Sequence, residues 1–295
     1  MFVRAQDRVI STSDTSDLPQ ISGPSGKLAR FFRNCAYFRG KARLQSWFLP
    51  RSGTERVSVF GYDMLLDLSD VIQRDIYSGV YEPFETEWLK RLLRPGMTFV
   101  DVGANVGYYT WLAARLVGPT GRVVAFEPGP YAFERLQRVV ENNGIKNVEC
   151  QQFAVSDRAG TAPLYVPPIA EGNYNPSLTP YMPGMVPVEV PVDRFDDLVV
   201  RLRVGRVDVM KVDVEGHELS VFRGAAGAIR EGRIANLLCE FNEGHQSRAG
   251  SSCDKLERWL SSHHFHLSRK FPSKWGSKVH NRLYTWEQRF GTASA

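Results

Sequence analysis

Little in this chain of 295 residues points to an oxidising compartment or to a membrane. Its four cysteines, Cys35, Cys150, Cys239 and Cys253, lie far apart and form no CxxC or Cys/His ligand spacing. A disulfide framework and a zinc module are therefore excluded, and free thiols in a reducing cytoplasm are expected. No apolar run approaches the ~18 residues of a spanning helix. The first residues, MFVRAQDRVISTSDTSD, carry charges where a signal peptide needs an apolar stretch. A cytoplasmic protein is expected, in contact with a membrane surface at most. The GxGxxG fingerprint is also missing, which disfavours a nicotinamide dehydrogenase. An apolar content of 43% at this length is enough for a full core, so the chain as a whole is not disordered. The net charge of +5 favours anionic partners without requiring them.

Residues 1–25 are rich in Ser, Thr, Asp, Pro and Gly and read as a mobile tail. From Gly26 the chain becomes basic and aromatic. Leu28, Phe31, Phe32, Cys35 and Phe38 fall at helical spacing among Lys27, Arg30, Arg33, Arg39, Lys41 and Arg43. Such a helix either packs its aromatic face on the main domain or meets a membrane surface, and peripheral contact through residues 27–51 is one expectation. RVSVFGYDMLLDL (Arg56 to Leu68) alternates as a short hairpin turning near Gly61. A helical segment then runs from Ser69 to Arg94-Pro95-Gly96. Residues 26–95 thus form an N-terminal region before a catalytic domain at 96–295.

After Gly96 the pattern changes. Met97 to Val102, Arg122 to Phe126, Val148 to Phe153, Val207 to Val212 and Ala235 to Phe241 are short apolar runs without a polar alternate face, as in a parallel sheet covered on both sides. Between them Tyr108 to Val117, Tyr131 to Asn143, Glu218 to Glu231 and Cys253 to His263 have helical periodicity. The fold class is α/β, doubly wound. Phe265 to Lys270 and Arg282 to Trp286 read as an antiparallel pair at the sheet edge. A proline-crowded insertion at 162–192 is too long for a plain connection, and is either a loop covering the substrate or a decorated hairpin.

The stretch TFVDVGANVGYYTWLAARL (Thr98 to Leu116) is a strand, a glycine turn and a helix. In such a unit the ligand sits beyond the carboxyl end of the strand. Gly103 and Gly107 let the backbone approach it, and Asn105 tolerates unusual dihedrals or donates a hydrogen bond. Asp101 just before the turn would repel a pyrophosphate and favour a cation such as a sulfonium. Glu127, ending the second strand in VVAFEPGP, is placed to accept both ribose hydroxyls. Ser156 and Asp157 follow the third strand, where Asp157 can receive an adenine amino group. A cationic adenosine ligand of this kind is S-adenosylmethionine. Asp101 alone is equally a helix cap; the set at successive strand ends is the stronger signal. In VDVMKVDVEGHEL, Lys211, Asp213 and Glu215 alternate, so all three can point to one side beside the methyl donor. Their plainer reading is a buried ion pair with a helix cap.

From about Ile72 to Trp286 the chain resembles the FkbM family of S-adenosylmethionine-dependent methyltransferases, through YEPFETEWLKRLLRPGMTFVDVGANVGYYT, GRVVAFEPGPYAFERLQRVVENNG, NVECQQFAVSDRAGTAPLYV, VPVDRFDDLV and VDVMKVDVEGHELSVFRGA. The resemblance implies a Rossmann-like class I methyltransferase fold, with a seven-stranded, mostly parallel sheet carrying a reversed edge strand. It implies transfer to a hydroxyl of a sugar, glycolipid, polyketide or other secondary metabolite. It adds Pro128 of AFEP and Glu82 of YEPF to the cofactor set, the latter closing over the ligand.

Methyl transfer to an alcohol needs in-line positioning and a base. Asp213, also in the cofactor set, is the first candidate for that base, Glu240 the second, and Lys211 orients Asp213 or keeps it ionised. His217 and His245 are each lone histidines in polar loops, bases or solvated side chains. Asp213, Glu215, Glu240 and His245 are of the types that hold Mg²⁺, but nothing in the sequence places them together and no metal ligand is assigned. A small-molecule or glycolipid acceptor is expected, and no nucleic acid. An adenine-amino methyltransferase is expected to carry an Asp/Asn-Pro-Pro-aromatic turn where this chain has Asp213-Val214-Glu215-Gly216. A non-catalytic module that only binds S-adenosylmethionine is the remaining alternative.

Overall fold

The structure, a computed structural model, describes residues 20–21, 50–168, 175–272 and 279–287. Of the basic segment at 27–51, residues 27–49 lie outside the described residues. The chain divides into two compact units, Met1–Pro83 and Phe84–Ala295. In the first, β1 (Gln20–Ile21) pairs antiparallel with β2 (Thr54–Val59), which forms the expected hairpin with β3 (Tyr62–Asp67). The two turn residues, Phe60 and Gly61, both have positive φ (52° and 85°), the twist that matches a tight hairpin. The expected tail therefore contains a short paired strand.

The helical segment from Ser69 is two helices rather than one. In α1 (Val71–Ser78) the Asp70 side chain accepts from Gln73 N, and Gly79, at φ 68°, caps the end with its N–H on Asp75 and Ile76 carbonyls. A left-handed glycine stops a helix there because no side chain opposes it. The chain restarts as α2 (Pro83–Leu92), with proline in the first turn where its missing N–H costs nothing. No helix among the described residues is long and apolar enough to cross a membrane.

The second unit continues with β4 (Thr98–Val102), α3 (Tyr108–Val117), β5 (Arg122–Phe126), α4 (Pro130–Asn143) and β6 (Val148–Gln151). Then come β7 (Ala154–Ser156), β8 (Gly160–Val166), β9 (Val186–Arg194), α5 (Phe195–Arg201), β10 (Val207–Val212), α6 (Glu218–Gly224) and α7 (Ala226–Arg230). It closes with β11 (Ile234–Phe241), α8 (Glu243–Arg248), α9 (Cys253–Ser262), β12 (Phe265–Lys270) and β13 (His280–Trp286). Seven strands form one sheet in the order β12-β13-β11-β10-β4-β5-β6. From β11 through β6 all pairings are parallel. The reversed strand is β13, antiparallel to both neighbours and one position in from the edge. The sheet is the seven-stranded, mostly parallel one expected, with its reversed strand next to the edge.

Phe99, Val100, Val102, Val123, Val124, Val209, Met210 and Val212 are all buried, as apolar runs in a sheet covered on both faces must be. The expected third strand stops at Gln151, because the chain leaves the main sheet to start a second one, β7-β9-β8, whose β8–β9 hairpin carries the proline-rich segment. The helix expected over 218–231 breaks at Ala225: the Asp196 carboxylate accepts Gly227 N and Ala228 N, both at 2.8 Å, and starts α7 from outside. Cys150, Cys239 and Cys253 are free thiols.

The small sheet is pressed onto α6 at one point, where a Cβ on Gly224 would lie 1.8 Å from the Ser156 carbonyl oxygen. Gly205 has open space around its Cβ position. Gly224→Ala is expected to cost about 1–3 kcal/mol in denaturant unfolding, since backbone cannot yield as a side chain can. Gly205→Ala should stay within about 0.5 kcal/mol of the parent.

Candidate active site

Four adjacent parallel strands end in carboxylates: Asp101 in β4, Glu127 just after β5, Asp213 just after β10, and Glu240 near the end of β11. The glycine turn after β4 works as its sequence requires. Gly103, Asn105 and Gly107 take φ of 81°, 50° and 87°, and the N–H groups of Gly103 and Ala104 both donate to the Phe126 carbonyl (2.9 and 3.0 Å). The turn is thereby tied to the end of β5. Asn105 N then donates to Glu127 Oε2 at 2.7 Å, and Gly129 N to Oε1 at 2.8 Å. Pro128 links Glu127 to Gly129 and is half-buried. Burial pushes the Glu127 carboxyl up to about 7, against these two N–H donors.

Lys211 lies opposite Asp101 in the β10–β4 register. It is buried, reaches Asp213 Oδ2 at 3.1 Å, and stands 5.0 Å from the Tyr109 ring centre. Asp101 is buried as well; its Oδ2 accepts from Thr110 Oγ1 at 2.7 Å, while its Oδ1 has no hydrogen-bond partner. Burial raises the Asp101 pKa, and the Lys211 charge opposes that rise. The ion pair of Lys211 with Asp213 is as expected. Glu215 departs from it: it follows the strand with φ 56°, and its Oε2 lies 2.7 Å from His245 Nδ1.

His245 is not a lone loop histidine. It sits in α8, where the Asn242 side chain accepts its backbone N–H at 3.2 Å, and its Nδ1 is also 3.7 Å from Glu240 Oε2. Burial works to lower its pKa, but the carboxylates of Glu215 and Glu240 outweigh it and hold the ring up at about 10. Glu240 is itself driven well above the usual carboxylate range, first by burial and then by the negative charge of Asp213. His217 is half-buried, with Nε2 3.0 Å from Thr179 Oγ1, and burial lowers its pKa.

Glu218, in the Glu215-Gly-x-Glu218 run, is a further site residue that strand position alone does not mark. Glu218 is buried and folds back from the first turn of α6 to accept Val214 N and Gly216 N at 3.1 and 3.2 Å, and its other oxygen takes the Gln246 amide N–H. The proline-rich segment supplies further contacts. Asn175 Oδ1 accepts from Asn105 Nδ2 (3.5 Å), Ser177 donates to the Glu215 carbonyl (3.4 Å), Thr179 meets His217, and Tyr181 lies under the Arg248 guanidinium (5.5 Å). The segment lies against the glycine turn and the loop after β10.

Ser156 and Asp157 stand apart from the set. Ser156 ends β7 of the small sheet instead of a strand of the main one, and Asp157 follows it; Ser156 is buried, and Asp157 is exposed and acts on His217 by its charge. Glu82 belongs to the first unit, with φ 39°.

Residues 101–267, more than half of the chain, match the methyltransferase FkbM domain. The chain is 30% identical over 155 residues to the methyltransferase sdnD of Sordaria araneosa, covering 42% of this chain and 59% of that protein. It is 29% identical to the 31-O-demethyl-FK506 methyltransferase FkbM of Streptomyces tacrolimicus, covering 51% and 67%. To the hexuronic acid methyltransferase AglP of Haloferax volcanii it is 29% identical, covering 64% and 77%. The match to sdnD thus spans little more than half of that relative's length.

Glu218 and Glu127 are both raised from 4.5 to about 7, first of all by burial. A carboxyl whose folded pKa exceeds its unfolded one contributes stability that is fully present below about 4.5 and lost as pH rises through about 7. The ligand-free protein should therefore weaken between pH 5 and pH 8 in urea unfolding. Glu218→Gln, which keeps an acceptor for Val214 N and Gly216 N, should flatten that loss by roughly 2–3 kcal/mol.

Proposed function

The chain belongs to the FkbM family of methyltransferases, and from that premise we propose that it transfers the methyl group of S-adenosylmethionine to a hydroxyl oxygen. The observation that carries this reading is the set of carboxylates at the ends of β5, β4 and β10 around the glycine turn Gly103–Gly107. Glu127, fixed through both oxygens by backbone N–H groups, keeps lone pairs for the ribose diol. Asp101, with a buried oxygen that accepts no hydrogen bond, and Asp213 supply negative potential for the amino and sulfonium groups. Gly103 lets the turn close on the loop that carries Asp213, since a Cβ there would lie 1.9 Å from the Asp213 carbonyl oxygen. Ser156 and Asp157 remain candidates for the adenine end.

The reaction is an in-line displacement in which the acceptor oxygen takes the methyl group, S-adenosylhomocysteine leaves, and the hydroxyl proton passes to a base. Asp213 is that base in our reading. Lys211 holds it in place at 3.1 Å. Glu240 is the second candidate; burial first, and then the Asp213 charge, push its pKa well above the usual carboxylate range. Ser177, Thr179 and Tyr181 cover this end, so the proline-rich segment would select the acceptor. A carboxylate-lined site suits a neutral polyhydroxyl group and repels a nucleic-acid backbone, whatever the net charge of the chain. Two relatives are named for 31-O-demethyl-FK506 and for a hexuronic acid as the molecules they methylate. A glycolipid acceptor would give the basic segment 27–51 a role at the membrane surface in the cytoplasm.

With a methyl-labelled cofactor and a panel of sugars, glycolipids and polyketides, label should appear in an ether on one acceptor class. Asp213→Asn should lower kcat about 10²–10⁴-fold. Unchanged turnover in that variant would remove Asp213 from the chemistry.

A further inference from the structure

Behind the proposed methyl-transfer centre, the end of β11 and the helix α8 bring together groups that the sequence leaves far apart. Glu215 Oε2, Glu240 Oε2 and His245 Nδ1 lie within 4.8 Å of one another. Asp213, Glu218 and Glu240 form a second such group, sharing Glu240 with the first.

Carboxylates crowded together are common on proteins, and their number alone carries nothing. What sets this cluster apart is the state of its buried atoms. Glu240 Oε2, His245 Nδ1 and Gln246 Oε1 are all shut off from solvent, and none makes a hydrogen bond. Gln246 is completely buried at 0% exposure, with its amide nitrogen anchored on Glu218 and its carbonyl oxygen left without a donor. His245 Nδ1 is close to Glu215 Oε2 at 2.7 Å, but the contact is not aligned as a hydrogen bond. A buried polar atom left in this state is costly, and two of these, Glu240 Oε2 and His245 Nδ1, stand 3.7 Å apart and call for a common partner.

We propose that Glu215, Glu240 and His245 bind a divalent cation of the Mg²⁺/Mn²⁺ class. The donor set is mainly oxygen with one imidazole, which suits Mn²⁺ or Mg²⁺ better than a thiol-seeking metal. The spacing fits too: two ligands at right angles, each about 2.1 Å from an ion, stand about 3 Å apart. The observed separations from His245 Nδ1, 2.7 Å to Glu215 and 3.7 Å to Glu240, bracket that value. The charge also matches. Asp213, Glu215, Glu218 and Glu240 face one another with Lys211 and His245 as the neighbouring positive groups, and a dication removes the excess. If the methyl-transfer reading holds, the ion would lie next to Asp213 and could bind and acidify the acceptor hydroxyl. Cation binding itself does not depend on that reading.

The test uses the full chain, freed of metal by chelation and titrated with Mn²⁺ alone, with the free-ion EPR signal and thermal unfolding followed in parallel. The wild type should show one saturable site and a Mn²⁺-dependent rise in Tm. Electron-spin-echo modulation from an imidazole nitrogen should appear on the bound ion. Affinity should fall at least about tenfold in Glu215→Gln and Glu240→Gln and stay unchanged in Glu134→Gln, an exposed carboxylate paired with Arg138. His245→Asn should abolish the nitrogen signal. A wild type with no saturable binding overturns the proposal by itself and leaves a cluster held by protons. So does binding that survives in every folded variant of the three, or bound Mn²⁺ without a nitrogen signal. None of these readouts needs cofactor or acceptor, so methyl transfer stands or falls separately.

Discussion

Everything at this site depends on how closely β4 and β10 approach beyond their last paired residues. Asp213 N donates to the Val102 carbonyl at 3.0 Å, one step past the strands, and a Cβ on Gly103 would come within 1.9 Å of the Asp213 carbonyl oxygen. That contact is possible only for glycine, and φ 81° there reinforces the requirement. It sets the glycine turn against the loop that carries Asp213 and Glu215. Because the register also places Lys211 beside Asp101, one backbone contact brings the turn, the buried cation and two carboxylates into a single space.

Burying that many acids is unfavourable, and the structure manages it with backbone donors more than with cations. Glu127 takes two N–H groups and Glu218 another two. These bonds only partly offset burial, since both carboxyls remain raised to about 7. Lys211 is the buried cation of the β10 end, steadied on the face of Tyr109. The outcome is a site with negative potential that is not fully compensated within itself. A sulfonium ligand on one side and a divalent cation on the other would each be stabilised by what the polypeptide leaves unbalanced.

The sheet was legible because its strands are short apolar runs bounded by glycine and helix periodicity; β5 and β10 fall where the sequence placed them. Asp101, Glu127 and Asp213 were legible for a related reason, that a residue ending such a strand has one place to go. Where reading failed, a long-range contact had decided the matter. Asp196, far away in sequence, splits α6 from α7. Ser156 belongs to a second sheet because β7 pairs with β9, which lies beyond the proline-rich segment. His245 looked like a loop residue, and only tertiary folding sets it against Glu215 and Glu240. Residues held by a strand end can be read locally; residues defined by what they meet cannot.

The central claim is that the carboxylates at these strand ends bind a cationic adenosine cofactor, and calorimetric titration with S-adenosylmethionine and S-adenosylhomocysteine tests it most directly. The account predicts micromolar binding of both to the intact protein and its loss in Glu127→Ala, whose remaining fold is checked by circular dichroism. Intact protein that binds neither ligand, or a folded Glu127→Ala that binds them as well as the parent, would contradict it.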